Sequence, residues 1–393
     1  MAANGLTFEQ SAAFLNDLYE QASGSKNISG VTTANFVTVA QKTLQTGYDN
    51  VISAISQVLS RTIFSVRPYS AKFAGLMVDA QRYGDIVRKI NYVDKEVEND
   101  DRLPLTDSAS VDMYEIKKPE VLQVNWYGGT TYQQHITIFR DQLDVAFSSA
   151  EEFGRFISGV MQNVSDQLEQ VKEAESRAAL ANFIAGKSAA SNNCINVLQA
   201  YYDETGVELT TTTMYSDTYF VPFAKWLYAY VNRLTDQLAE RTTKYHINVT
   251  GKAIHRHTPA DRLKAYMSAR TADAINSIAL PSVYGADRLK MADFEKVVYW
   301  QALNSPEQIV ATPTYLATDG TLTTAGSAVT VSNLMGILFD EEAMGLTTIN
   351  EWMGETPFNV RGGYSNIYWH FTTRLWNDFT ENAIVLYADT VTT

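Results

Sequence analysis

Apolar residues fall at helical spacing in four stretches of the chain, and elsewhere they alternate or run together as strands do. The first helix is read from Phe8, Ala12, Leu15, Leu18, Tyr19 and Ala22, with Thr7 and Gln10 as a capping box at its start. Gly24 to Gly30 interrupts it. A second stripe joins Phe36, Ala40, Leu44, Tyr48, Val51, Ile55 and Val58 into one predicted helix. Two amphipathic helices with little core of their own must dock on the body or reach to another subunit.

Strand character begins at Ile86–Val93 and returns at Val111–Ile116 and Val121–Tyr127, around an acidic turn region with Glu96, Glu98, Asp100, Asp101 and Pro104. Gly128-Gly129 has the composition of a two-residue hairpin turn, predicted to join Val121–Tyr127 to Thr130–Phe139. In the latter, Tyr132, Gln134, Ile136 and Ile138 alternate with Thr131, Gln133, His135, Thr137 and Phe139. The first hairpin is long and polar at its tip. A two-stranded hairpin is marginal in isolation, so a neighbouring subunit is an obvious support for it.

Ser148 and Ser149 stand three residues before Glu151 and Glu152, a doubled capping box. The stripe Phe153, Ile157, Val160, Val164, Leu168, Val171, Ala174 and Ala178 then runs to about Ile184, with Gly186-Lys187 as the expected stop. Roughly 35 residues at about 1.5 Å each make a rod of about 50 Å. Gly154 and Gly159 lie early in it, where close packing or bending are the two readings.

A further helix carries Phe223, Trp226, Leu227, Tyr230, Leu234 and Leu238, followed by a short strand and turn at His246–Gly251. Thr258-Pro259-Ala260-Asp261 has the form of a helix start, with Leu263, Tyr266 and Met267 behind it. Thr312–Thr330 is read as a loop with a turn at Asp319-Gly320. Leu334–Phe339, Leu346–Trp352, Tyr364–Leu375 and Ala383–Tyr387 are read as strands, the last apolar on both faces and therefore buried.

This order of parts resembles the major capsid proteins of tailed bacteriophages, the Hong Kong 97-type fold also found in encapsulins. The run from Thr373 to Ala388 looks like that family's closing strands. The resemblance implies an α+β fold with an N-terminal helical arm (1–84), an E-loop and following hairpin (85–146), a peripheral domain with spine helix and closing strands (147–195 and 345–393) and an axial domain (196–344). It implies pentamers and hexamers that close an icosahedral head shell around packaged double-stranded DNA, assembled in the host cytoplasm with a scaffolding protein and a portal protein. With little room ahead of the arm, the scaffolding protein is expected to be separate, and no N-terminal processing is expected. An encapsulin-like cellular shell, or less readily an aromatic-rich carbohydrate enzyme, is the alternative.

Composition agrees with a wall more than with a binder. The chain has 393 residues, 45% hydrophobic and 19% charged, so its polar faces are largely uncharged side chains that are cheaper to dehydrate against a neighbour than ions are. The net charge of −13 and the absence of a dense basic run argue against direct nucleic-acid recognition; Arg82, Arg88 and Lys89 sit among carboxylates. A single cysteine, Cys194, permits no internal disulfide, and no apolar run approaches the ~20 residues needed to span a bilayer. The start lacks the pattern of a signal peptide, so the sequons at Asn27, Asn163 and Asn248 carry no weight.

Candidate chemistry was sparse. His255 and His257 share one face if the segment is a strand, with His246 or Asp261 as a third ligand, but such pairs arise often by chance. Glu341-Glu342 and Glu151-Glu152 read as structural carboxylates, and Thr250-Gly251-Lys252 is not a phosphate loop. Trp352, Tyr364, Tyr368, Trp369, Phe371 and Trp376 fit a core or interface better than a sugar site. Lys95 is a conceivable cross-linking lysine without the rest of a cross-linking set. No catalytic, cofactor-binding or metal-binding residue is predicted, and no enzyme activity.

Overall fold

A computed structural model describes residues 8–25, 31–62, 73, 76, 86–95, 97, 106–108, 110, 112, 114–191, 193–274 and 294–392. In chain order the helices are α1 (Phe8–Ser23), α2 (Phe36–Gln45), α3 (Tyr48–Thr62), α4 (Arg140–Ala146), α5 (Ala150–Ala189), α6 (Val197–Thr205), α7 (Phe220–Ala239) and α8 (Ala269–Ala274). The strands up to the middle of the chain are β1 (Ile86–Tyr92), β2 (Val121–Tyr127), β3 (Thr130–Phe139), β4 (Cys194–Asn196), β5 (Leu263–Ser268) and β6 (Phe294–Val297). They are followed by β7 (Ile309–Ala311), β8 (Thr314–Leu316), β9 (Leu322–Thr324), β10 (Val329–Val331), β11 (Leu334–Asp340), β12 (Met344–Glu355), β13 (Tyr364–Asn377) and β14 (Ala383–Tyr387).

These elements form two units. The first draws on residues 1–84, 128–175 and 346–374, the second on 85–127, 176–345 and 375–393. In the first, the sheet order is β12-β13-β3. β13 alternates so that Ser365, Ile367, Trp369, Phe371 and Thr373 point inward. Ile367 and Trp369 join Ile138, Phe153, Ile157 and Val164 in a core that also takes Leu15, Leu18, Phe36, Val51 and Ile55 from the N-terminal helices. These helices therefore dock, as their amphipathic stripes require.

In the second unit, the order is β4-β14-β11-β5-β6, with β11 antiparallel to both β14 and β5. α6 and α7 pack there through Leu198, Tyr201, Phe223, Leu227, Leu234 and Leu238, against Met267, Leu338, Ile384 and Leu386. All seven residues of β11 are buried, which explains its apolar sequence up to Phe339; the last, Asp340, is a buried carboxylate. β1 and β2 make a separate two-stranded sheet.

Several expectations are corrected. The stripe from Phe36 to Val58 is two helices, because Gly47 adopts φ +105 between them. The described residues of Val111–Ile116 form turn and coil rather than a strand. Gly128-Gly129 closes no hairpin: β2 pairs with β1 and β3 with β13. Only Gly128 has positive φ, whereas a type I′ turn needs it at both positions. Gly129 instead serves close packing, since a side chain there would meet Ile349, Thr372 and the Thr373 carbonyl at 3.0 Å.

α5 runs past its predicted stop, to Ala189. Gly186 is a packing glycine, its missing Cβ replaced by the Phe379 ring, and left-handed Ser191 and Asn193 follow the helix end. Of the two capping serines, Ser149 accepts the Glu152 amide at 3.2 Å, while the Ser148 amide donates to the Val145 carbonyl. Thr258-Pro259 leads into strand β5, not a helix; Leu263, Tyr266 and Met267 match helical spacing, but a strand buried on both faces imposes no period that would tell the two apart. His246–Gly251 contains no named strand, only a bridge from Val249 to Lys252. The loop at 312–330 contains the paired strands β8 and β9, around the turn at Asp319-Gly320, and its end enters β10, which pairs back to β7 just ahead of the loop. Thr7, Asn27, Arg82, Glu96, Glu98, Asp100, Asp101 and Pro104 lie outside the described residues.

Candidate assembly interface

The β1–β2 ladder is antiparallel, with Lys89 opposite Val124, Ile90 opposite Gln123 and Tyr92 opposite Val121. Period-2 alternation then sorts the side chains onto two faces. Val87, Lys89 and Asn91, with Leu122, Val124 and Trp126, are the covered row. The other row shows solvent Ile90 (51% exposed), Tyr92 (69%) and Tyr127 (76%), together with Val121. Further out, Val97, Tyr114 and Ile116 are almost wholly exposed. Burying a large apolar side chain is worth about 1.5–3 kcal/mol, so this face forgoes several such contributions while the chain stands alone.

The covered row is fixed by charge. The Lys89 ammonium sits 3.0 Å from Asp378, 2.9 Å from Glu342 and in contact with Glu381. Arg256 reaches Glu381 at 2.8 Å and donates through Nε to the Thr380 carbonyl. Arg262 pairs with Glu341 at 3.0 Å and also with Glu342. Asp378 and Glu381 are only 1% and 3% exposed, so these anions depend on their cations rather than on water.

The local pKa values follow. Burial alone would lower Lys89, but Asp378 and Glu381 outweigh it and the pKa rises. Burial would raise Glu342, yet Lys89 and Arg262 hold it at about 2. Burial dominates at Glu381, pushing it up to about 7 against Lys89 and Arg256. Further out along the hairpin, Asp94 is held by Arg241 at 2.5 Å and by the His255 amide at 2.5 Å and ring Nδ1 at 3.1 Å. Trp126 Nε1 donates to the Asn377 carbonyl at 3.3 Å. The hairpin is thus seated on its inner face and left open on its outer one.

The first unit has an open face too. On β13 the outer row is Tyr364, Asn366, Tyr368, His370 and Thr372, facing Phe139, Thr137, His135, Gln133 and Thr131 of β3. Trp352 stacks on His370 with centroids 4.0 Å apart; Tyr368 lies next to His370 at 6.3 Å and to His135 at 5.5 Å. The rings stack on one another along the outer row, with Trp352 still 54% exposed at its end. Trp369 and Phe371 are buried on the inner row, Tyr364 meets Phe139 edge-on, and the Trp376 ring fills the space beside Gly345.

The remaining candidates are placed as structural groups. His255 serves Asp94, His257 and Asp261 are exposed, and buried His246 bonds to Asn382, Asn248 and the Ile254 carbonyl. Among the described residues, no group of three or more His, Cys, Asp or Glu is arranged to hold a metal, and no helix is long and apolar enough to cross a membrane. Glu151 and Glu152 both pair with Arg155. Thr250-Gly251 is a turn, and Lys95 is exposed. Cys194 lies in β4, its thiol pushed up to about 11 by burial. The seat formed by Lys89, Asp378 and Glu381 was missed in the sequence. Its signal was present, since Asp378 and Glu381 are carboxylates set between the apolar residues of the two closing strands.

A family model described as Phi29-like phage major capsid protein matches residues 13–387. A capsid structure of Staphylococcus phage Andhra is similar over 83% of this chain and 86% of its own, with a TM-score of 0.54 at 10% identity. A structure described as the head fibre and inner core protein gp22 of native bacteriophage P68 is similar over the same shares, with a TM-score of 0.56 at 11% identity. Such low identities speak for the fold alone. No curated protein matches the sequence.

Proposed function

Because the chain belongs to the family of Phi29-like phage major capsid proteins, matched from residue 13 to 387, we propose that its hairpin face is the surface by which copies close into a head shell. The fold is the α+β type of Hong Kong 97-like phage capsids, and the protein's place is the virion capsid. The family assignment speaks against a cellular compartment or a carbohydrate enzyme. Its role is structural; no catalytic step is assigned to it.

The carrying observation is the contrast within one hairpin. A row of Ile90, Tyr92, Val121 and Tyr127 lies open on two strands whose other row is bound to buried anions. Such a seat orients the apolar row without covering it, and a neighbouring copy supplies the cover. On this reading residues 1–84 act as the arm, 85–146 as E-loop and following hairpin, 147–195 with 345–393 as peripheral domain, and 196–344 as axial domain. Copies form pentamers and hexamers in the host cytoplasm with separate scaffolding and portal proteins. The shell encloses double-stranded DNA without reading its sequence, consistent with a net charge of −13. Sedimentation and negative-stain microscopy of the purified chain, with and without its scaffolding protein, test this. Rings or closed shells are expected; a stable monomer under every assembly condition would refute it.

A further inference from the structure

Beside the carboxylates that seat Lys89 runs a line of four buried side chains: His246, Asn382, Thr258 and Asp340. Their hydrogen bonds can be assigned in sequence. His246 Nε2 lies 2.8 Å from the Ile254 carbonyl oxygen and 3.1 Å from Asn248 Oδ1. The carbonyl can only accept, and the Asn248 amide is oriented by donating through Nδ2 to the Thr243 carbonyl. Nε2 therefore carries a proton. On the other side of the ring, Nδ1 is 3.0 Å from Asn382 Oδ1. Asn382 Nδ2 donates to Thr258 Oγ1 at 3.3 Å, and Thr258 Oγ1 donates to Asp340 Oδ2 at 2.9 Å.

Counting hydrogens along this line shows what it needs. With Asp340 ionised, Thr258 must donate to it and Asn382 must donate to Thr258. The Asn382 oxygen then faces Nδ1 and is satisfied only by an imidazolium. With the proton on Asp340 instead, the Thr258 hydroxyl reverses toward Asn382, the amide turns over, and its nitrogen donates to a neutral Nδ1. Both arrangements satisfy every contact, and both hold one proton more than a neutral imidazole with an ionised carboxylate. Remove that proton and two acceptors confront each other in a buried place.

We propose that His246, Asn382, Thr258 and Asp340 act as a single buried acid that stores one proton, and that its release loosens the seat of the β1–β2 hairpin. The second half follows from connectivity. Asn382 adjoins Glu381, Asp340 is two residues from Glu342, and the Asp340 amide donates to the Asn382 carbonyl at 3.0 Å. The line thus ties together the two turns that hold Lys89.

Charges from the surrounding elements act on both ends. Lys187 at the end of α5 and Arg256 oppose an imidazolium, as burial does first of all, whereas the bonds to Asn382 and Ile254 favour it. Arg262 lies 3.8 Å from Asp340, while Asp378, Glu381, Glu341 and Glu342 flank the two turns on the anionic side. This inference does not depend on the shell reading.

The test is nitrogen-15 NMR of histidine-labelled full-length chain, following the ring nitrogens through pH, with His246→Asn used to assign the signal. Asp340→Asn supplies a donor in place of the carboxylate, so the line is satisfied without the extra proton. The His246 midpoint should fall by at least about one pH unit, a factor of ten in proton affinity. Thr258→Val keeps the Asp340 charge but cuts the relay, and should lower the midpoint comparably, while Thr258→Ser should restore it. Amide exchange in β1 should quicken above the wild-type midpoint and lose that step in Asp340→Asn. A midpoint lowered by Asp340→Asn but not by Thr258→Val would reduce the effect to simple charge attraction and overturn the shared proton. So would a His246 signal unmoved by both, and β1 exchange without a step would overturn the link to the seat.

Discussion

The β1–β2 and β11–β14 ladders are both antiparallel pairs, yet they are completed in different ways. β11 and β14 lie inside a five-stranded sheet and bury Leu338, Phe339, Ile384 and Val385 against their own chain. Among the described residues β1 and β2 have no third strand, and Ile90, Tyr92, Val121 and Tyr127 of their outer row are exposed. The first pair is finished by folding; on the proposed reading the second is finished by a neighbouring copy. The seat of Lys89 between Asp378 and Glu381 makes the difference visible, because it holds the hairpin by charge where the sheet is held by packing. An anchor on the inner row leaves the outer apolar row uncovered.

Changes that break this contrast should do so by different amounts. Lys89→Met takes the cation from buried Asp378 and leaves Glu381 to Arg256 alone, and should cost about 3–5 kcal/mol in urea unfolding of the dispersed chain. A loss below about 1 kcal/mol would mean the seat is no anchor. Ile384→Ala leaves a cavity in the central sheet and should cost about 2–5 kcal/mol, with normal assembly of the protein that remains folded. Ser149→Ala removes the cap of α5 and should cost about 1 kcal/mol in the same assay. Ile90→Glu with Tyr92→Glu should shift unfolding by about 0.5 kcal/mol or less, since both side chains are already in water, yet should stop assembly in sedimentation. Intact shells from that variant would place the interface elsewhere.

The smallest effect concerns pH. Glu342 is held at about 2 in the folded chain against an ordinary 4.5, so its contribution is fully present above 4.5 and is lost as pH falls towards 2. Because Glu342 is half exposed, solvent screens much of this. Glu342→Gln should therefore flatten the acid limb of a stability–pH curve only slightly, and a change confined to neutral pH would contradict the assignment.

Legibility in the sequence followed the physics of each signal. The long α5 helix, the α7 stripe, the closing strands and the alternation of β3 could be read because their periods are sustained over many residues. Boundaries and partners could not. Gly186 looks like a stop but is a packing glycine under Phe379, and Gly128-Gly129 looks like a turn but links two sheets, since the demand for glycine comes from distant residues. Leu263, Tyr266 and Met267 fit a helix as well as a strand until β11 and β6 are seen on either side. The seat was hidden for the same reason: Lys89 and Glu381 meet across 292 positions of sequence. The open hairpin face, by contrast, was foreshadowed by a two-stranded unit with no visible support.

The most direct test is a near-atomic cryo-electron microscopy map of the assembled shell. Ile90, Tyr92, Val121 and Tyr127 should lie within about 4.5 Å of side chains from a neighbouring copy, with Lys89 still on Asp378 and Glu381. A shell in which that row faces solvent in every copy would contradict the account.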